Sequence, residues 1–234
     1  MNIQGYQKLT LLDFPGKVAC TVFCGGCNLR CPFCHNASLV NHPRELENLE
    51  EEVLSYLEKR RGILEGVCVT GGEPLLQPDL SGFLEKVKKM GYLVKLDTNG
   101  SDPEKLKRLL EEGNVDYVAM DIKNAPQTYE KAIGVKMDFA RFQKSVQLLR
   151  ESGVLHEFRT TLVKGIHGEK DLEEMGDFLQ GAERYFLQGF VDSGNLLVPS
   201  VYRAFSSEEM ERFLAIIQKY VPAAQLRGQE ITKQ

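Results

Sequence analysis

Six short apolar runs, each followed by a longer charged segment of helical period, constrain this chain more than any other feature. The runs are VACTVF (18–23), GVCVT (66–70), LVKLD (93–97), YVAMDI (117–122), EFRTTLV (157–163) and RYFLQGF (184–190). Rich in β-branched and aromatic residues, each reads as a strand. Between and after them, 45–61, 79–90, 103–112, 138–152, 169–180 and 206–220 repeat apolar residues at helical spacing. Gly91, Gly113 and Gly153 stop three of these helices, and the last opens on Ser with Glu in its first turn. Six strand-then-helix units in succession predict parallel strands joined by right-handed crossovers. A full eight-unit barrel takes about 250 residues. In 234 residues the pattern therefore predicts an α/β fold, a partial (β/α)6 TIM-type barrel, with a doubly wound open sheet as the alternative. No linker or repeat divides the chain, so one domain is expected over 1–234, its core at about 16–190 and a C-terminal helix and tail over 191–234.

Parallel α/β folds place their chemistry beyond the C-terminal ends of the strands, and the unusual residues of this chain fall there. CGGCNLRCPFCHN (24–36) follows the first run, TGGEP (70–74) the second, DTNG (97–100) the third, and Asp121-Ile-Lys123 closes the fourth. Four polar clusters at four strand ends predict one pocket.

Cys24, Cys27, Cys31 and Cys34 are spaced by two, three and two residues. The chain starts without the charged and apolar pattern of a signal peptide and has no apolar stretch of about 18 residues, so a cytoplasmic location is expected. Thiols stay reduced in that compartment, and closely spaced cysteines there point to a metal or to catalysis. Thiolates on a short loop suit an iron–sulfur cluster; structural zinc also uses C-x2-C pairs, usually with a longer gap between them. Cys20 and Cys68 lie inside apolar runs and read as core. His35 reads as an outer-shell hydrogen-bond partner, while His42, His156 and His167 form no ligand spacing. With 29 basic and 33 acidic residues, net charge −4 and no long basic run, neither nucleic acid nor an anionic membrane is an expected partner.

Cys27, Cys31 and Cys34, with Phe33 before the last, resemble the C-x3-C-x2-C loop of the radical S-adenosylmethionine (SAM) enzymes. In that family three thiolates hold three irons of a 4Fe-4S cluster, and the fourth iron receives SAM. The resemblance makes Cys24 the odd cysteine: a fourth ligand at rest, an outer-shell contact, or a packed strand-end residue. It makes Gly71, Gly72 and Glu73 the loop for the SAM ammonium, and puts Asp97, Thr98 and Asn99 near the ribose and sulfonium. Asp121 and Lys123 fall in the next loop, and Arg159 answers the cofactor carboxylate. Asp97, Thr98 and Asp121 are also candidates for a monovalent cation site. For the loop residues local turn chemistry is the competing reading, and for Arg159 a buried structural ion pair.

Over residues 5–165, LLDFPGK, CHN, GGEPLLQ, DTNG and DYVAMDIKNAPQTYEKAIGV resemble the activases of glycyl radical enzymes. Those of anaerobic ribonucleoside-triphosphate reductase are the most alike, with those of pyruvate formate-lyase next. Cys24 departs from their pattern, and no second cysteine group follows. The resemblance implies reductive cleavage of SAM to a 5′-deoxyadenosyl radical that takes hydrogen from a glycine of a partner, the large subunit of the anaerobic reductase; the electron would come from a donor such as flavodoxin or ferredoxin. It implies no catalytic side chain beyond cofactor and cluster. The rivals are a radical SAM enzyme acting on a small molecule and a non-catalytic Fe-S or zinc binding module.

Overall fold

The computed structural model describes residues 1–228 except 42, 44, 45, 193 and 200. His42, the expected helix start at Glu45 and the end of the expected tail lie outside the described residues. The chain forms two compact units, each assembled from separated segments. The first comprises Met1–Asn28, Asn36–Ala119 and Ala140–His156; the second comprises Leu29–His35, Met120–Phe139 and Glu157–Gln234.

The strands are β1 (Ile3–Thr10), β2 (Ala19–Cys24), β3 (Gly66–Gly71), β4 (Leu93–Thr98), β5 (Tyr117–Asp121), β6 (Leu155–Leu162), β7 (Tyr185–Gly189) and β8 (Gln225–Arg227). They follow chain order in a mostly parallel sheet. The six strands expected from sequence are present, with ends moved by one or two residues. β1 and β8 were not expected. β1 runs antiparallel to β2 with two register shifts, and its sequence, IQGYQKLT, buries only its first and last residues. Lacking an apolar alternation, it gives no strand signal. β8, three residues beside β7, is too short to show a period.

The helices among the described residues are α1 (Ala37–Asn41), α2 (Leu49–Glu58), α3 (Leu80–Lys89), α4 (Pro103–Glu111), α5 (Tyr129–Ile133), α6 (Ala140–Glu151), α7 (Glu169–Phe178) and α8 (Ser207–Gln218). α2 begins later than expected because Asn48, at φ 64°, breaks helical geometry before the acidic first turn Glu50–Glu52. α4 starts as its sequence directs: the Asp102 side chain accepts from Lys105 N–H and Pro103 occupies the first turn. α8 closes a capping box between Ser206 and Glu209. The five-residue α1 and α5 are too short for a periodic signal.

In the first unit β2 and β3 pair from Ala19↔Gly66 to Cys24↔Gly71, and β3 and β4 from Gly66↔Leu93 to Val69↔Leu96. Cys20, Val22, Val67, Val69, Val94 and Leu96 are fully buried. Burial of both strand faces explains why these runs are almost continuously apolar; each large aliphatic side chain contributes about 1.5–3 kcal/mol. In the second unit Phe158, Leu162, Tyr185 and Leu187 are fully buried, and β6 and β7 pair from Phe158↔Tyr185 to Leu162↔Gly189. No helix among the described residues is long and apolar enough to cross a membrane.

Candidate active site

In the first unit the start of the cysteine loop is sewn to the TGGEP turn by backbone. Gly72 N–H donates to the Cys24 carbonyl at 2.8 Å and Glu73 N–H to the Gly26 carbonyl at 2.8 Å. The side-chain amide of Asn36 donates to the Gly71 carbonyl at 3.2 Å. Only glycine permits this approach. Gly71 has φ +114°, and a Cβ there would meet Cys24 N at 2.4 Å, while a Cβ on Gly72 would lie 1.9 Å from the Gly26 oxygen.

Glu73 is 1% exposed. Its Oε1 accepts from the Thr98 hydroxyl at 2.7 Å and from Leu75 N–H at 3.1 Å, and its Oε2 from Asn99 N–H at 2.7 Å. Thus the β3 turn is locked onto the end of β4. Asn99 Nδ2 lies 3.8 Å from Cys27 Sγ and donates to Asn28 Oδ1 at 3.0 Å. Cys27, Gly71, Gly72, Glu73, Thr98 and Asn99 therefore belong to one hydrogen-bonded group. Asp97 forms an ion pair with Lys95. Lys95 is 1% exposed and its Nζ is 3.9 Å from Cys68 Sγ. The sequence reading did not single out this lysine; a charge in the middle of an apolar strand was the available signal.

The second unit holds Cys31, Phe33, Cys34, Asp121, Lys123 and Arg159. Cys34 N–H donates to the Cys31 carbonyl at 3.0 Å, closing a turn around Phe33. Phe33, 4% exposed, meets the rings of His167 and Tyr202 edge-on at 6.3 and 6.5 Å. At the end of β5, Asp121 Oδ1 accepts from Arg159 Nε at 3.0 Å and Oδ2 from Lys123 Nζ at 2.9 Å. Burial pushes the Asp121 carboxyl up, but Arg159 and then Lys123 outweigh it and hold it well below the usual carboxylate range. For Lys123, burial opposes the charge while Asp121, followed by Cys31 and Cys34, favours it; its pKa lies above the ordinary value.

His167, without ligand spacing in sequence, proves to be a clamp. Its Nδ1 accepts from Val163 N–H at 3.0 Å, which leaves Nε2–H to donate to the Lys123 carbonyl at 2.9 Å. Burial lowers its pKa, so the neutral ring is favoured. His35 stacks on Phe190 with centroids 5.5 Å apart.

None of the six cysteines is in a disulfide. Cys24 is fully buried at the end of β2; burial, then the nearby Glu73, pushes its thiol up to about 12. Burial does the same to Cys20. Burial thus favours the neutral thiol at both positions, and a ligand at either would have to yield its proton to the metal. Cys27 and Cys34 are half-buried. Among the described residues no three His, Cys, Asp or Glu side chains gather as for a single metal ion. A cubane asks for something different, thiols on a short loop that reach separate irons. Cys27, Cys31 and Cys34 are thiols of that kind, spaced on one short stretch of sequence.

The family profile of the radical SAM superfamily matches residues 21–179. A Methanocaldococcus jannaschii protein bearing the name of a glycyl-radical enzyme activating enzyme is 30% identical over 80% of this chain and 79% of its own. The pyruvate formate-lyase-activating enzyme of Clostridium pasteurianum is 33% identical over 62% of this chain and 63% of its own. Among solved structures, Streptococcus suis SuiB bound to S-adenosylmethionine superposes with TM-score 0.67 at 16% identity, over 88% of this chain and 49% of that one. This chain thus spans about half of SuiB and less than two thirds of the Clostridium relative, and the SuiB likeness speaks to fold alone. That fold is the partial (β/α) barrel expected from the strand–helix alternation. With the profile covering more than half of the chain, and the Methanocaldococcus relative aligned over most of both lengths, the chain belongs to the radical SAM superfamily, among the relatives named as activating enzymes of glycyl radical enzymes.

Proposed function

We propose that this protein cleaves SAM reductively and installs a glycyl radical on a partner enzyme, the large subunit of an anaerobic ribonucleoside-triphosphate reductase. The observation that carries the reading is the joining of the TGGEP turn to the cysteine loop, with Asn99 reaching Cys27. Cys27, Cys31 and Cys34 would hold three irons of a 4Fe-4S cluster, and Phe33 would pack beside it. Gly71, Gly72 and Glu73 would receive the SAM ammonium; Asp97, Thr98 and Asn99 the ribose side; Arg159, with Asp121 and Lys123, the carboxylate. When bound, cluster and SAM supply the 5′-deoxyadenosyl radical that abstracts hydrogen. The residues of the chain supply placement: Glu73 holds two strand ends in register, and the Gly71-Gly72 backbone leaves room for a close ligand.

Further parts of the proposal are a single functional domain, a cytoplasmic setting and a flavodoxin or ferredoxin as electron donor. The two units interleave along the chain, so no single cut separates them, which supports treating them as one domain. Pyruvate formate-lyase is the second candidate partner, favoured by the name of the Clostridium relative.

The test is anaerobic. Reconstituted, reduced protein is mixed with SAM and either candidate partner, and 5′-deoxyadenosine and the electron paramagnetic resonance (EPR) spectrum of the partner are measured. A glycyl radical doublet on the reductase subunit supports the proposal. A doublet only on pyruvate formate-lyase reassigns the partner, and intact 4Fe-4S protein that forms no 5′-deoxyadenosine refutes the activity.

A further inference from the structure

Asn99 closes a ring of hydrogen bonds that fixes the orientation of its amide. Ser101 N–H donates to Asn99 Oδ1 at 2.9 Å. Asn99 Nδ2 donates to Asn28 Oδ1 at 3.0 Å, and Asn28 Nδ2 donates to the Ser101 hydroxyl at 2.8 Å. A backbone N–H can only donate, so the oxygen end of Asn99 must face Ser101 and the NH₂ end must face Asn28. That NH₂ carries a second hydrogen, and Cys27 Sγ lies 3.8 Å from its nitrogen as the acceptor. Cys27, Asn28, Asn99 and Ser101 all belong to the first unit.

The loop bearing this donor is held from three further directions. Glu73 accepts from Asn99 N–H, the Gly100 carbonyl accepts from the Ser145 hydroxyl at 2.7 Å, and the Ser101 carbonyl accepts from Arg141 Nε at 2.6 Å. Asn99 and Ser101 are 6% and 1% exposed, so water competes little for the amide. A thiol sulfur is a weak acceptor, whereas a hydrogen bond to an ionised acceptor is about twice as strong as a neutral one. A donor fixed in this place therefore gains strength as negative charge builds on Sγ.

We propose that Asn99 donates a hydrogen bond to Cys27 as a thiolate ligand and thereby raises the reduction potential of the cluster, with Asn28 and Ser101 orienting the amide. The inference rests on the ligand assignment proposed above and narrows it: with its amide committed here, Asn99 would meet the ribose side through its backbone alone. Reduction adds negative charge to the ligand sulfurs, so a donor at one of them favours the reduced state; hydrogen bonds to the sulfurs are among the recognised controls of such potentials. Asn99 and Asn28 are positioning residues in this account.

The experiment is a redox titration of reconstituted protein without SAM, followed by EPR, with iron and sulfide content and melting temperature measured on each sample. Asn99→Leu, close in size and without a donor, should move the midpoint to more negative potential, by about a tenfold shift in the reduction equilibrium, equivalent to 59 mV for one electron. Asn28→Ala frees the amide to turn away and should move the midpoint in the same direction by less. Ser145→Ala loosens the same loop without touching the amide; it should lower the melting temperature and leave the midpoint in place, which separates tuning from packing damage. An unmoved or more positive midpoint in Asn99→Leu with a full cluster overturns the inference and leaves the ligand assignment standing, as does an equal shift in Ser145→Ala. If Asn99→Leu holds no cluster, an unmoved midpoint in Asn28→Ala overturns it instead. A full 4Fe-4S cluster in Cys27→Ala overturns the ligand assignment and this inference with it.

Discussion

Gly72 shows how much a single hydrogen atom decides. Alanine at 72 drives a methyl into the Gly26 carbonyl, whereas alanine at Gly189, in β7, meets nothing within 4 Å. Urea unfolding should show a loss of about 3 kcal/mol or more for Gly72→Ala and almost none for Gly189→Ala; equal stabilities would refute the close-approach account. At Glu73 the neighbours donate to both oxygens. Glu73→Gln turns an amide N–H₂ toward one of these donors, and it should cost about 1–3 kcal/mol and raise the KM for SAM measured by 5′-deoxyadenosine formation. The Gly-Gly-Glu motif was legible because its residue types are unusual at a strand end. Asn99 was legible as a loop residue, but its approach to Cys27 joins positions far apart in the chain, which no local pattern encodes.

At the scale of elements, the connection from β6 to α7 hangs on one neutral imidazole. Since burial puts the folded pKa of His167 below its ordinary 6.5, the unfolded chain binds the proton more readily. The stability associated with neutral His167 is complete above the unfolded value and is lost as pH falls through 6.5 toward the folded pKa. Thermal unfolding of the anaerobic protein should therefore show a drop between about pH 7.5 and 5.5, and His167→Gln should flatten that part of the profile. An unchanged slope in the variant would remove His167 from the account. The helix-forming segments were readable to within a few residues because caps and amphipathic period are local. β1 escaped because it is polar and irregular at its pairing, and α1 and α5 because a single turn or so shows no period.

For the molecule as a whole, sequence spacing rather than burial divides the cysteines, since Cys31 is buried as Cys24 is. Cys31→Ala should abolish bound iron and sulfide, while Cys24→Ala should retain both at a stability cost of about 1 kcal/mol; cluster loss in both would make Cys24 a ligand. The C-terminal strand depends on charge. Arg227 on β8 pairs with fully buried Glu157 at 2.6 and 2.8 Å and lies 3.6 Å over the Phe186 ring. Arg227→Ala removes the two-pronged partner of a buried carboxylate and should cost about 3 kcal/mol, whereas Arg227→Met/Glu157→Met should recover most of the loss in urea unfolding. The sequence alone determined the strand–helix alternation, the thiol spacing and the glycines of the TGGEP turn, because propensity, period and spacing act over neighbouring residues. Only the tertiary structure decided that Asn99 reaches Cys27, that His167 fastens residue 123, and that Glu157 finds Arg227 on a three-residue strand. Those outcomes depend on which buried polar groups meet once the strands are paired, and a buried donor or acceptor must take a partner from wherever in the chain one arrives.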